Sequence, residues 1–288
     1  MERIVVGVSG SENAGRTLAW ALREAATSGC DITVVRADAP RRSADRGAGA
    51  GTVKVLELID PALARAVVAA RLTLGEQRVA VVVDPGHAGD VLLSVATPED
   101  LLVIGPPTRS GWWARASTTY RVAIRARCAM VVVHAPATWV AKDGIGHLLR
   151  SHVVVGVDGS PAANQALGFG FSYAAEHRQP LAAVAVAPHA DTDVWYDDRM
   201  LETNLTSDLE PAAMLARDVG LWQHKFPGVR VSRAVVAGTP AGGLRQSARG
   251  AAMLVVGTAG IGPSPLGSVS RALLESAPCP VAIVRAAS

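Results

Sequence analysis

The segment RIVVGVSG (3–10) returns as HVVVGVDG (152–159), and this repetition decides how the rest of the chain is read. Three more matches follow in the same order: PGHAGDVL (85–92) with AGTPAGGL (237–244), LLVIG (101–105) with MLVVG (253–257), and CAMVVVHA (128–135) with CPVAIVRA (279–286). A period of about half the chain means two copies of one domain, here residues 1–136 and 150–288, joined by the segment around 135–151. Within each copy, short β-branched runs alternate with longer Ala- and Leu-rich amphipathic stretches, the pattern of parallel strands with crossover helices. In the second copy the strands are expected at 153–157, 181–187, 229–237, 252–257 and 281–285. Helices are expected at about 162–177, 204–225, 240–249 and 268–276. Runs such as VVVGV and LAAVAVA are continuously apolar, as strands are when both sheet faces are covered. The fold class is therefore α/β, with two tandem doubly wound open parallel sheets of Rossmann-like type.

Bulk properties narrow the function. The 288 residues suit two ordinary α/β domains. The net charge of +3 comes from 28 Lys and Arg set against 25 Asp and Glu. They are scattered singly, so Arg121, Arg125 and Arg127 read as a solvated helix face, and no nucleic-acid partner is expected. Cys30, Cys128 and Cys279 are far apart and lack C-x-x-C spacing, which points to a reducing compartment rather than a metal or redox site. No apolar run approaches the roughly 20 residues of a membrane span, so a cytoplasmic protein without membrane association is expected. The polar, glycine-rich stretch 41–52 reads as a mobile loop.

Ligands of open parallel sheets bind beyond the carboxyl ends of the strands, where the winding reverses. In the second copy Asp158 follows the first strand, Val186 closes the second and Gly257 closes the fourth. The stretch GTAGIGPSPLGSVSRALLES (257–276) then reads as a phosphate cradle. Gly257 and Gly260 lack the Cβ that would obstruct backbone N–H groups, and Gly267-Ser268 opens a helix whose positive end favours an anion. Ser160 and Ser268 are placed as helix caps, the former before Pro161. The stretch is not a Walker loop and lacks G-x-G-x-x-G spacing, so on pattern alone a plain glycine turn stays open.

As a set, VVVGVDGSP (153–161), AGTPAGGL (237–244), VVGTAG (255–260), LGSVSRALL (266–274) and APCPVAIV (277–284) resemble the second copy of a tandem universal stress protein. The resemblance covers nearly both halves. It implies the nucleotide-binding α-hydrolase-like variant of the fold and, as in many members, binding of ATP, with Mg carried along. It also implies that Gly257, Gly260, Gly267 and Ser268 serve the phosphates and ribose with Val269 beside them, that Asp158 lies near ribose and phosphates, and that Val186 contacts adenine. The family pattern of Gly-x-x-Gly, nine residues and Gly-Ser/Thr is shortened here, since only Ile261 to Leu266 separate Gly260 from Gly267. The resemblance further implies that the copies pair through their last strands, about 130–134 and 281–285, as an internal pseudo-dimer, with a homodimer of whole chains left open.

The first copy departs further. Ser9 stands opposite Asp158, Thr108 opposite Gly260, and Ala116-Ser117 opposite Gly267-Ser268, while Pro106-Pro107 removes two N–H donors. Nucleotide is therefore expected mainly in the second copy. Trp112-Trp113 reads either as an interaction patch or as local packing.

No catalytic site or metal site is assigned. His189, Asp191, Asp193, Asp197 and Asp198 read as a solvated loop over the cleft, His147 and His152 as exposed residues flanking the linker, and Ser9, Ser11 and Ser160 as caps without a nucleophile elbow. The leading expectation is an ATP-binding regulatory stress protein with an unnamed protein partner and at most slow ATP hydrolysis. A nucleotide-free interaction module is the alternative, and an enzyme using a flavin or adenylate on the same sheet is a third.

Overall fold

The valine-rich runs become buried strands, and the helices between them cover both faces of each sheet. A computed structural model describes residues 2–9, 13–38, 56–108, 114, 116–135, 148–187, 194–197 (backbone), 210–258 and 266–285. The chain divides into two units, Met1–Val133 and His134–Ser288. Thr108 and Pro106-Pro107 fall within the described residues, whereas the loop 41–52, Ser11, Trp112-Trp113, His147, His189, Asp191, Asp193, Asp198 and Gly260 lie outside them.

The first unit contains β1 (Arg3–Gly7), α1 (Asn13–Ser28), β2 (Asp31–Asp38), α2 (Pro61–Leu74), β3 (Val79–Pro85), α3 (Ala88–Val95), β4 (Leu101–Ile104), α4 (Thr118–Arg125) and β5 (Ala129–Val132). Its strands pair in the order β3-β2-β1-β4-β5, all parallel.

In the second unit the succession is β6 (Val153–Gly156), α5 (Pro161–His177), β7 (Leu181–Ala187), β8 (Val194–Asp197), α6 (Glu210–Lys225), β9 (Val231–Ala237), α7 (Pro240–Ser247), β10 (Met253–Gly257), α8 (Ser268–Glu275) and β11 (Val281–Val284). The order is β11-β10-β6-β7-β9-β8. Successive strands step outward from β6 to β7 and β9, and the chain then returns to place β10 on the other side of β6. That reversal opens a crevice at the carboxyl ends of β6 and β10.

One strand was not expected. Val194–Asp197 lies in the stretch read as a solvated loop, yet it pairs antiparallel with β9, Val194 opposite Val235 and Asp197 opposite Ser232. The expected parallel sheet thus carries an antiparallel edge, as mixed sheets often do. A four-residue run cannot signal this from its own pattern, because an edge strand is defined by the partner that completes its hydrogen bonds.

The core of the second unit is built on α5. Ala163, Leu167, Phe171 and Ala174 follow one another at helical spacing and are buried against the sheet, with Phe171 fully so. Phe171 stacks at 5.9 Å on Phe226, and Leu215 and Val219 of α6 are buried as well.

His134, the first residue of the second unit, is 6% exposed. Burial pushes its pKa down from 6.5 to about 4, an effect only partly countered by its hydrogen bond to the Leu273 backbone. The native state therefore stays neutral while the unfolded chain takes up a proton below pH 6.5. The stabilising contribution is complete above that pH and is lost as pH falls toward 4, by about 3 kcal/mol in total. Urea unfolding at pH 7 and pH 4.5 checks this: His134→Leu is expected to remove that part of the acid sensitivity, and an unchanged pH dependence would refute it.

Candidate functional site

Past β6 the chain makes the turn Val157-Asp158-Gly159-Ser160 and enters α5. Gly159 holds φ +77, where a side chain is strained, and a Cβ there would also lie 2.9 Å from the Met214 sulphur on α6. Ser160 caps α5, its Oγ accepting from the Ala163 N–H at 3.1 Å, and Pro161 follows within the first turn. Asp158 Oδ1 accepts from the Ser160 N–H at 3.0 Å. Its other oxygen has no hydrogen bond among the described residues, so one exposed carboxylate oxygen remains for a ligand.

On the other side of the crevice, β10 ends at Gly257. The Ser270 hydroxyl donates to the Gly257 carbonyl at 2.6 Å, and the Gly267 N–H donates to the Thr258 carbonyl at 2.7 Å. The chain thus returns to the strand it left, and α8 starts beside the tip of β10. Its N-cap is Gly267, with φ −64 and ψ 163 and no side chain to accept the first free N–H groups. Among the described residues the amides of Ser268, Val269 and Ser270 meet no side-chain cap, at the end where the helix dipole favours negative charge.

These features border one open cleft of about 1060 Å³. That is roomy by the standard of small-molecule sites, which span about 300–1,000 Å³. Six of the seven expected residues line it: Asp158, Val186, Gly257, Gly267, Ser268 and Val269. Gly260 lies outside the described residues. The wall has two characters. Val184, Ala185, Val186 and Leu244 make an apolar floor, whereas Asp158 and Ser160 on the β6–α5 turn and Ser268 and Ser270 at the α8 N-terminus supply the polar groups.

Two readings need correction. Ser268 does not cap α8; it is the first helical residue, and the bare Gly267 holds the cap position. Gly257 is not a vacancy awaiting phosphate either. A Cβ there would lie 2.7–2.9 Å from the Cβ, carbonyl carbon and carbonyl oxygen of Ala162, so the glycine lets α5 press against the strand tip. Sequence could not disclose this, because the neighbour is fixed only when α5 crosses the sheet. The α6 wall was missed as well. Glu210, Met214 and Arg217 line the cleft from one helix face, at the helical spacings i, i+4 and i+7.

The same place in the first unit is built differently. Thr119 Oγ1 donates to the Gly105 carbonyl at 3.0 Å, repeating the Ser270–Gly257 strut. The anion pole is not repeated. Ser117 caps α4, its hydroxyl accepting from the Tyr120 N–H at 3.2 Å, so the helix fills with its own side chain the role that Gly267 leaves open. Ser9, exposed, replaces the Asp158 carboxylate.

Among the described residues no helix is long and apolar enough to cross a membrane, and no group of three or more metal-ligating side chains comes together.

Comparison with known proteins shows the family and the fold. The model of the Universal stress protein family matches residues 1–134 and 150–285. A universal stress protein of Mycobacterium tuberculosis is 28% identical over 295 residues, covering 98% of this chain and 96% of that protein. One from Mycolicibacterium smegmatis is 30% identical over 294 residues with the same coverage. Among solved structures, a universal stress protein from Archaeoglobus fulgidus superposes with a TM-score of 0.69 at 16% identity, over 99% of this chain and 97% of that one, a likeness of fold.

Proposed function

Because this chain belongs to the universal stress protein family, we propose that it is a nucleotide-responsive stress protein whose second unit holds ATP, with no chemistry of its own beyond slow hydrolysis at most. The observation that carries this reading is the uncapped N-terminus of α8, which opens into a cleft with an apolar floor. A triphosphate needs N–H donors at its charged end and apolar surface at its base. The residues present fit both needs.

In this reading the amides of Ser268 and Val269 and the Ser268 hydroxyl hold the phosphates, Gly260 and Gly267 keep that approach free of bulk, and Gly257 borders it while making room for α5. Asp158 serves the ribose or the Mg carried with the triphosphate, and Val186 borders adenine. Nucleotide is held mainly by the second unit, since in the first Ser117 already takes up one of the N–H groups at the helix start. The departure of the first unit from the anion-binding pattern favours a second reading, in which the whole chain is a nucleotide-free interaction module.

The direct experiment is to denature the purified protein and identify any released small molecule by mass spectrometry. Adenine nucleotide at up to one equivalent per chain is expected. Protein that carries none, and that also takes up none from millimolar MgATP in equilibrium dialysis, would refute the proposal.

A further inference from the structure

Resting on the nucleotide reading above, we infer that Arg217 is the residue by which the cleft selects phosphorylated over unphosphorylated nucleosides. Among the described residues that line the cleft, two side chains are anionic, Asp158 and Glu210, and Arg217 is the one cation. A wall with two carboxylates and no cation would repel a polyphosphate, and the backbone dipole of a helix as short as α8 offsets only part of that repulsion. Arg217 therefore supplies the cation of this wall from α6, in part shared with Asp218, while the α8 amides supply neutral donors.

Its orientation is partly fixed. Nε donates to Asp218 Oδ1 at 2.9 Å, and the Asp218 side chain is only 16% exposed, so the anchor is held. The remaining guanidinium nitrogens make no hydrogen bond among the described residues, and the Arg217 side chain is 69% exposed. One turn earlier, Met214 packs its sulphur on the Gly159 turn, next to Asp158. The α6 face that carries Arg217 is thereby docked on the polar turn of the cleft as well as on its floor. A planar fork with one nitrogen tied back and two left free suits a phosphate, which accepts paired N–H bonds. To the ribose hydroxyls of an uncharged nucleoside it offers neutral-acceptor hydrogen bonds of the kind water also supplies.

The test compares ATP with adenosine on the full-length protein by isothermal titration calorimetry, for the unmodified chain, Arg217→Ala and Arg217→Lys. Arg217→Ala is expected to weaken ATP about tenfold and adenosine less than twofold, as loss of one charge-assisted contact implies. Arg217→Lys keeps the charge without the fork and is expected to fall between. Because the side chain is exposed, the variants' thermal unfolding without ligand is expected to match that of the unmodified chain. Equal weakening of both ligands, or no weakening of ATP, overturns the role given to Arg217 while leaving the nucleotide site standing. Binding of neither ligand by the unmodified protein overturns both.

Discussion

Replacing Gly257 by alanine is expected to destabilise the second unit by about 2–3 kcal/mol, and to abolish any stabilisation by nucleotide. The added methyl would meet Ala162 at 2.7–2.9 Å, and two of the three contacted atoms are backbone. Backbone at a helix start cannot rotate away as a side chain can, so the first turn of α5 must move as a body. Overpacking of this kind costs about 1–3 kcal/mol, and the upper half of the range applies where the neighbour is rigid. The displaced turn also carries Asp158 and the Ser160 cap, which is why binding should fail along with stability.

Gly105→Ala in the first unit supplies the control. Its methyl would approach Thr17 Oγ1, a side-chain atom, at 3.3 Å, and its cost should stay below about 1 kcal/mol. Urea unfolding of both variants reads the difference. Equal effects would mean that the close approach at Gly257 does not govern the fold.

The second large effect is that of the ligand. MgATP at a hundredfold excess over its dissociation constant is expected to stabilise the second unit by about 2.7 kcal/mol. For a unit of this size that raises the melting temperature by roughly 5–10 °C. Asp158→Ala is expected to remove most of the rise. The variant also loses the acceptor for the Ser160 N–H, so its melting point without ligand should drop slightly, and the quantity to compare is the ligand-induced difference. A melting curve unchanged at millimolar MgATP would rule out the nucleotide reading and leave the interaction module in its place. A full rise in Asp158→Ala would remove Asp158 from the site.

Much of this site was legible because its parts sit at the ends of strands, and strand ends are marked by runs that stop. VVVGVDG stops at Asp158, LAAVAVA stops next to Val186, and MLVVG stops at Gly257; all three border the cleft. The repeat was legible for the same reason, since both copies end their strands with matching residues. The cap of α8 was misplaced by one residue because Gly267 and Ser268 are both plausible caps, and only backbone angles separate them. Arg217 stayed hidden because helix periodicity tells which face is apolar, and Leu215 and Val219 declare that face on α6. It does not tell which polar residue beside it will line the cleft.

The sequence by itself determined two α/β units, the succession of parallel strands and helices in the second, and the strand ends that border its crevice, because apolar runs and helix periods are local patterns that hydrophobic burial converts directly into layers. Tertiary structure alone decided that Gly257 is a packing contact with Ala162, that Val194–Asp197 completes a sheet edge, that α8 is left uncapped while Ser117 caps its counterpart, and that α6 brings a cation to the cleft. Each of these depends on a distance between parts of the chain far apart in sequence, or on a backbone angle at one residue, and neither leaves a trace in residue order.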